Sequence, residues 1–198
     1  MGVYFNPGNE SFAKDKNYKI YVDKTGLLND LNELIGTPRN CLAVSHARRF
    51  GKSHAAGMID AYYSLGSDSE KLFEDTKIAQ SPDYKKYMNR YNVIHLDIST
   101  FWDSYKENIT EKIVEYIYKD FKHVFGDELN YEDSLSYNLM MIYQKTKTPF
   151  VVIIDEWDCV IRNSEDTELV HQYLQFLHSL FKSEESKTFL ALAYITGI

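Results

Sequence analysis

The sequence predicts an α/β fold in which a mostly parallel sheet carries helices on both faces. Short apolar runs alternate along the chain with segments whose apolar residues recur at helical spacing. This alternation is typical of parallel strands joined by right-handed crossovers. One run, residues 150–155, is apolar up to its last residue, as expected of a strand buried on both faces. Ligands of such sheets bind where the strands end, so the residues that follow each strand are the first candidates for a site.

The elements follow in order from these patterns and from the turn residues between them. The predicted strands are residues 40–45, 91–99, 150–155 and 188–196. The predicted helices are residues 51–64, 105–125, 134–144 and 165–182. Two polar stretches are expected to be insertions or surface segments, namely residues 66–90 and 126–133.

Composition excludes several classes of protein. The 198 residues include 44% hydrophobic and 26% charged residues, the ordinary mixture of a globular domain. A net charge of −7 disfavours binding to nucleic acid through bulk electrostatics, and we find no strong nucleic-acid signal. Apolar runs are far shorter than the roughly 20 residues that span a bilayer, and the N-terminus lacks the pattern of a secretory signal. We therefore expect a cytoplasmic protein without membrane contact.

The two cysteines carry little functional information. Cys41 and Cys159 stand alone in apolar surroundings, so we expect reduced, buried thiols. They are expected at opposite ends of the sheet, which disfavours a disulfide. No spacing of cysteine and histidine fits a zinc template.

The first motif follows the first predicted strand. Gly51, Lys52 and Ser53 have the residue types that end a phosphate-binding loop. Glycine lets the backbone approach phosphate, lysine reaches the terminal phosphates, and the hydroxyl can bind magnesium. The helix that follows adds its positive end. His46 stands where such a loop usually opens with glycine, and a simple basic turn is the alternative.

The second motif is the acidic end of the third predicted strand, "FVVIIDEWD". Asp155 is expected to contact magnesium, and the adjacent Glu156 to orient and deprotonate an attacking water. An acidic turn without catalytic role is the alternative. Thr196, at the end of the fourth strand, could contact the terminal phosphate or this water. Asp97, after the second strand, either positions Lys52 or a water or caps a turn.

A third segment, residues 21–34, precedes the first strand. Asp23 could cap a short helix whose Leu27, Leu28 and Leu31 pack against the sheet. In a nucleotide-binding protein this segment would run beside the adenine. A plain amphipathic helix is the alternative.

Five stretches together resemble the bacterial AAA-ATPase-like family in their order and spacing. They are "YVDKTGLLNDL", "ARRFGKS", "NVIHLDIS", "VVIIDEWD" and "YITGI". The loop of that family typically reads R-P-R-R-F-G-K-[ST], so it also lacks the leading glycine. The resemblance covers about residues 21–198. It implies a P-loop NTPase three-layer sandwich with an extra strand between the two motif strands, and it implies ATP and Mg²⁺ as ligands.

The resemblance also implies roles for individual residues. The nucleotide-binding set is Arg48, Arg49, Phe50, Gly51, Lys52, Ser53 and the neighbouring His54. Ser53 and Asp155 would hold the metal, while Glu156 and Thr196 would be catalytic. The sequence departs from the family pattern where His46-Ala47 replaces Arg-Pro and where Trp157 replaces tyrosine.

We interpret residues 1–198 as one domain, with residues 1–36 flanking the nucleotide site and residues 37–198 forming the core. The chain stops directly after the fourth core strand, so we expect it to be truncated there. Many members of the family continue into a C-terminal nuclease-like domain of the PD-(D/E)XK type. That domain is therefore an expected partner that this chain lacks.

The leading functional hypothesis is an Mg-ATP-binding ATPase module that drives or gates an attached domain. A non-catalytic nucleotide-binding or protein-interaction module is the main alternative, because the chain is acidic and contains 16 tyrosines, a residue type favoured at interfaces. A small-molecule kinase could use the same loop. A nuclease within this chain has weaker support, from Pro82-Asp83 and residues 185–187 alone. The sequence leaves open whether the protein forms a homo-oligomer.

Overall fold

The four predicted strands form one parallel sheet in the computed structural model, which describes residues 2–45, 47 and 50–198. The order across the sheet is β1–β4–β3–β2. The strands are β1 (Cys41–Ser45), β2 (Asn92–Asp97), β3 (Phe150–Asp155) and β4 (Leu190–Gly197). A strand therefore lies between β1 and β3, the two strands that precede the sequence motifs, as the resemblance implied.

Helices connect the strands on both sides of the sheet. They are α1 (Glu10–Lys16), α2 (Leu27–Leu34), α3 (Lys52–Tyr63), α4 (Glu70–Phe73), α5 (Ile98–Tyr105), α6 (Ile109–Phe125), α7 (Leu135–Thr146), α8 (Cys159–Asn163), α9 (Thr167–Phe181) and α10 (Glu184–Phe189). Short 3₁₀ turns occupy Lys77–Gln80, Lys106–Asn108 and Gly126–Glu128. Within the described ranges, no helix combines the length and the apolar character needed to cross a bilayer.

Alternation along the strands divides the apolar core between the two faces. Val152 and Ile154 of β3 face a cluster built with α5 to α10. Val151 and Ile153 face the opposite cluster, which includes residues of α1 to α4. Every residue of β3 is buried because this strand has neighbours on both edges and helices over both faces. The predicted α/β architecture with helices on both faces is confirmed.

The register places the strand ends side by side. Asp97 of β2 is paired with Asp155 of β3, and Ile154 is paired with Ile195 of β4. Ser45, the last residue of β1, is paired with Gly197 at the end of β4. Because the strands are parallel, the residues that follow them gather at one edge of the sheet.

More than half of residues 66–90 are exposed, as predicted for a surface segment, but a few of their residues anchor the segment in the core. Phe73, Ile78 and Tyr84 are buried in the cluster that also contains α3. The hydroxyl of Tyr62 donates a hydrogen bond to the Tyr84 carbonyl at 2.8 Å. These few apolar residues hold the segment against the core, although most of its residues are polar. The other polar stretch, residues 126–133, is largely exposed, as predicted.

Other differences concern boundaries and the edges of the sheet. The predicted strand at residues 91–99 ends at Asp97, where α5 begins, and the predicted helix at residues 105–125 begins only at Ile109 after a 3₁₀ turn. The short helices α1, α8 and α10 were not predicted. Cys159 is buried as expected, but Cys41 is exposed because β1 lies at an edge of the sheet. Both thiols are free.

The N-terminal residues cover the opposite edge of the sheet, along β2. Phe5 forms an antiparallel bridge with Ile94. The Asp120 carboxylate accepts hydrogen bonds from the backbone amides of Tyr4, at 2.7 Å, and Phe5, at 3.0 Å. An edge strand that is paired in this way does not offer its backbone to other chains.

A buried ion pair joins α3 to β2 beneath the strand ends. His95 Nδ1 lies 2.5 Å from Asp60 Oδ2. Burial alone would lower the pKa of His95, but the Asp60 carboxylate, with smaller contributions from Asp155 and Asp97, raises it above its ordinary value. Because the pKa of His95 is raised in the folded protein, protonated His95 contributes its full stability below the pKa of unfolded histidine, about 6.5, as long as Asp60 is ionised. Burial raises the pKa of Asp60, which limits this contribution on the acid side. The contribution disappears as the pH rises through the folded pKa of His95.

We expect Asp60→Asn to lower the free energy of unfolding by about 1.5–3 kcal/mol at pH 6, the range for hydrogen bonds to charged groups. The loss should shrink as the pH rises above the raised pKa of His95, because histidine is then neutral in the wild-type protein as well. Urea unfolding of both proteins at several pH values measures this. A loss that is constant between pH 6 and pH 9 would contradict the assignment.

Candidate functional site

The loop that leads into α3 depends on the backbone of Gly51. This residue has φ = 78°, in the left-handed region that favours glycine. A Cβ atom at Gly51 would lie 2.6 Å from Lys24 Nζ, which donates a hydrogen bond to the Phe50 carbonyl at 2.7 Å. The first turn of α3 starts at Lys52, so the positive end of the helix faces this loop. The predicted ligands Arg48 and Arg49, and the variant position His46, lie outside the described residues.

We expect Gly51→Ala to weaken nucleotide binding and to destabilise the protein by about 1–2 kcal/mol, the cost of a left-handed L-residue. Gly66→Ala is the matched control, because Gly66 has a similar φ of 82° but a Cβ there would have no neighbour within 4 Å. It should cost similar stability and leave binding intact. Thermal unfolding and titration calorimetry measure the two effects. Equal binding by both variants would show that the approach of Lys24 to the loop is unimportant.

Asp155 connects three elements at the centre of the site. Its side chain is buried at the end of β3. One carboxylate oxygen accepts a hydrogen bond from the Ser53 hydroxyl at 2.5 Å. The other accepts from the buried Thr196 hydroxyl and from the backbone amide of Glu156. The structure therefore brings together four predicted site residues, Ser53, Asp155, Glu156 and Thr196.

Glu156 occupies a strained turn between β3 and α8. Its φ is 52°, unusual for a residue with a side chain and costing on the order of 1 kcal/mol or more. The turn is tied to β4, since the next residue, Trp157, donates its amide hydrogen to the Thr196 carbonyl at 2.9 Å. One carboxylate oxygen of Glu156 lies 3.5 Å from Lys52 Nζ. The predicted lysine and the predicted base are thus neighbours.

Arg162 is a site residue that the sequence reasoning missed. Its Nη2 donates to the second carboxylate oxygen of Glu156 at 2.8 Å, and its Nε donates to Asp158 at 2.6 Å. Burial would lower the pKa of Arg162, but the hydrogen bond that it donates to Asp158 and the charges of the Asp158 and Glu156 carboxylates raise the pKa, so the guanidinium stays charged. The i,i+4 spacing of Asp158 and Arg162 after an acidic strand end was the available signal.

Two adjoining cavities meet at Gly51 and His54. The first has a volume of about 580 Å³ and a polar, charged lining. Its lining residues are Gly51, Lys52, Ser53, His54, Asp97, Ser99, Asp155, Glu156, Cys159 and Arg162. Asp97 mainly caps α5, because its carboxylate accepts hydrogen bonds from the backbone amides of Ser99 and Thr100. Of the two roles considered for Asp97, the structure supports the capping role.

The second cavity, of about 880 Å³, is mostly apolar and aromatic. Its lining includes Phe12, Tyr18, Ile20, Tyr21, Val22, Lys24, Phe50 and Met58. Tyr21, Val22 and Lys24 line this cavity next to the loop, while a position beside an adenine stays a prediction. Asp23 does not cap α2. Its carboxylate instead accepts from the amide and hydroxyl of Thr25 and from the amide of Lys77. Leu28 and Leu31 of α2 are buried against the sheet, as predicted.

His54 lies at the border of the two cavities. Its ring is exposed, and its Nδ1 lies 2.6 Å from the Asp15 carboxylate of α1. Phe50 is also exposed, with 62% of its surface accessible, and lies on the wall of the apolar cavity. The side chains of His54 and Phe50, two of the predicted nucleotide-binding residues, are therefore accessible from the cavities.

The oxygen donors of Ser53 and Asp155 are the groups that could hold a metal. Hydroxyl and carboxylate oxygens suit Mg²⁺, which is usually bound by one or two protein ligands together with phosphates and waters. Among the described residues, no group of three histidine, cysteine or acidic side chains could form a complete protein-only metal site. The donor set fits a metal that arrives with a phosphate ligand.

Comparison with known proteins finds one matching family. The family described as "Predicted AAA-ATPase" matches residues 8–198, almost the whole chain. No protein of curated function matches the sequence.

Proposed function

The chain belongs to the predicted AAA-ATPase family, and we propose that it binds Mg-ATP across the two cavities and hydrolyses it to drive or gate an attached domain. One observation carries the proposal. Lys52, Ser53, Asp155, Glu156 and Thr196 come from α3, β3, the following turn and β4, yet they line or adjoin one polar cavity. Cation, hydroxyl and carboxylates at a helix N-terminus are the groups that phosphate transfer requires.

The polar cavity would take the phosphates. Gly51 allows the backbone to approach closely, and the N-terminus of α3 favours negative charge. Lys52 supplies a cation whose side chain is only 7% exposed. A charge-assisted bond from this ammonium group to a phosphate would therefore form largely out of water, where such bonds are strongest.

Ser53 and Asp155 would hold Mg²⁺ together with phosphate oxygens. Their oxygen atoms are adjacent, and the burial of Asp155 is offset by its hydrogen bonds from Ser53 and Thr196. When bound, the metal neutralises charge on the transferring phosphate. The Ser53 hydroxyl can keep donating its proton to Asp155 and still offer an oxygen lone pair to Mg²⁺, so the hydrogen bond and metal binding would be compatible.

Glu156 would accept the proton of the attacking water. Its carboxylate lies at the polar cavity beside Lys52 and is fixed from below by the turn that Trp157 ties to β4. Thr196 holds Asp155 in place, and this contact supports a positioning role for its hydroxyl. The strained backbone of Glu156 is typical of a residue whose direction matters to the site.

The apolar cavity would take the nucleotide base and sugar. It adjoins the polar cavity at Gly51, so one ligand can extend from one cavity into the other. Tyr18 and Phe50 offer exposed aromatic surface on its wall. Aromatic side chains pack well against the flat face of a base.

Titration calorimetry with ATP and ADP, followed by a phosphate-release assay, tests the proposal. We expect both nucleotides to bind, with affinity that depends on Mg²⁺, and phosphate to be released from ATP. Binding without release would support the non-catalytic nucleotide-binding alternative instead. No binding of either nucleotide would contradict both interpretations.

A further inference from the structure

Arg162 is anchored so that its guanidinium reaches the Glu156 carboxylate. The Nε of Arg162 is held by Asp158 one turn earlier, at 2.6 Å. This leaves Nη2 to contact Glu156 at 2.8 Å. A planar guanidinium can donate hydrogen bonds to the Asp158 and Glu156 carboxylates at the same time, whereas a lysine ammonium group lacks this geometry. The side chain is 30% exposed and borders the polar cavity.

Glu156 is shared between two cations. Oε1 faces Lys52 at 3.5 Å and Oε2 faces Arg162 at 2.8 Å. A phosphate that binds Lys52 must compete with Glu156 for the ammonium group. The contact of Glu156 with Arg162 is the shorter of the two, so Arg162 takes part of the carboxylate's charge interaction and weakens that competition.

Resting on the function proposed above, we propose that Arg162 is a positioning residue that shares the Glu156 carboxylate with Lys52 and thereby weakens the competition of Glu156 with the nucleotide phosphates for Lys52. Without Arg162, Lys52 becomes the cation partner of Glu156 among the described residues. The ion pair between them then tightens, and the nucleotide has to break it. Arg162 thus acts on binding through Glu156 rather than by touching the phosphates.

A double-mutant cycle on ADP affinity tests this inference. We expect R162A to weaken ADP binding about fivefold to tenfold in the wild-type background, a coupling typical of residues in contact. In the E156Q background the same substitution should change affinity by about twofold or less, because the competing carboxylate is absent. The titrations use about 0.3 M salt, which screens charges beyond direct contact.

Three controls separate this role from a merely structural one. R90A removes an exposed arginine outside the site and should leave ADP affinity unchanged. R162K should restore little of the ADP affinity, because an ammonium group cannot reproduce the two hydrogen bonds from the guanidinium to Asp158 and Glu156. If R162A does not fold, R162Q takes its place in the double-mutant cycle, because glutamine retains much of the side-chain volume of arginine.

The outcomes distinguish this inference from the proposed function. An equal loss in both backgrounds would overturn the inference and indicate that Arg162 contacts the phosphates directly or supports the fold. No loss in either background would also overturn it. In either of these outcomes the proposed nucleotide site stands, provided that the wild-type protein binds ADP measurably. Absence of ADP binding by the wild-type protein would instead overturn the proposed function, and this inference with it.

Discussion

Replacing Lys52 with alanine is expected to abolish nucleotide binding. The ammonium group lies in the polar cavity, is almost fully buried, and adjoins the N-terminus of α3. Loss of a charge-assisted bond in such a place costs about 1.5–3 kcal/mol, and the dipole of α3 alone cannot replace it. The substitution also leaves the Glu156 carboxylate beside the bound phosphates without a cation between them. The lost bond alone should lower ATP affinity by about 10- to 150-fold, and repulsion from the Glu156 carboxylate should lower it further, which titration calorimetry would record as loss of binding.

Lys187→Ala provides the matched control for Lys52→Ala. Lys187 is an exposed lysine that pairs with Glu184 on α10 and, among the described residues, lines neither cavity. Its removal changes net charge equally and should leave ATP affinity intact. Circular dichroism would establish that both variants are folded. Unchanged ATP affinity in folded Lys52→Ala would refute the assignment of the polar cavity to phosphate.

Replacing Glu156 with glutamine is expected to stop hydrolysis while binding persists. Glutamine keeps the size of the side chain and can still accept a hydrogen bond from Arg162. It cannot take a proton from water, and loss of a general base typically costs 10²- to 10⁴-fold in rate. Affinity should be equal or higher, because the carboxylate that competes for Lys52 is gone. A phosphate-release assay and calorimetry on the same preparation measure the two effects.

Glu184→Gln, at an exposed position on α10, is the control for the change of charge. Its turnover should equal that of the wild type. Wild-type turnover by Glu156→Gln would exclude Glu156 as the base. Loss of both binding and turnover would indicate that the carboxylate is needed to hold the turn after β3.

The two substitutions together separate the functions considered for this chain. An ATPase requires both residues, a nucleotide-gated module requires Lys52 alone, and a protein-interaction module requires neither. The position of Glu156 beside Lys52 favours the first. The aromatic cavity next to the loop is expected of both nucleotide-binding functions, so it does not decide between them.

The parallel α/β sheet and the clustering of Ser53, Asp155, Glu156 and Thr196 at one of its edges could both be predicted from residue patterns. Periodicity is a local property: the apolar run of β3 and the helical spacing of α6 and α9 are visible without any partner. Because the sheet is parallel, residues that follow different strands had to meet at one edge. Asp155 and Thr196 could therefore be placed together before any coordinates, and their hydroxyl–carboxylate contact agrees with that placement.

Other features depended on contacts between distant parts of the chain. The burial of Phe73, Ile78 and Tyr84 within residues 66–90 could not be predicted, because three buried residues among many polar ones give no periodic signal. The exposure of Cys41 follows from the edge position of β1, which strand order decides and local composition does not.

The finer arrangement of the site was decided only by tertiary structure. Lys24 reaches the Phe50 carbonyl from a segment 26 positions away, and Arg162 reaches Glu156 because the turn after β3 adopts a left-handed backbone at Glu156. A sequence shows which residue types are present, but the direction of a side chain depends on the backbone dihedrals beneath it and on the elements packed around it. Both cations could therefore be assigned to the site only once the chain was folded around it.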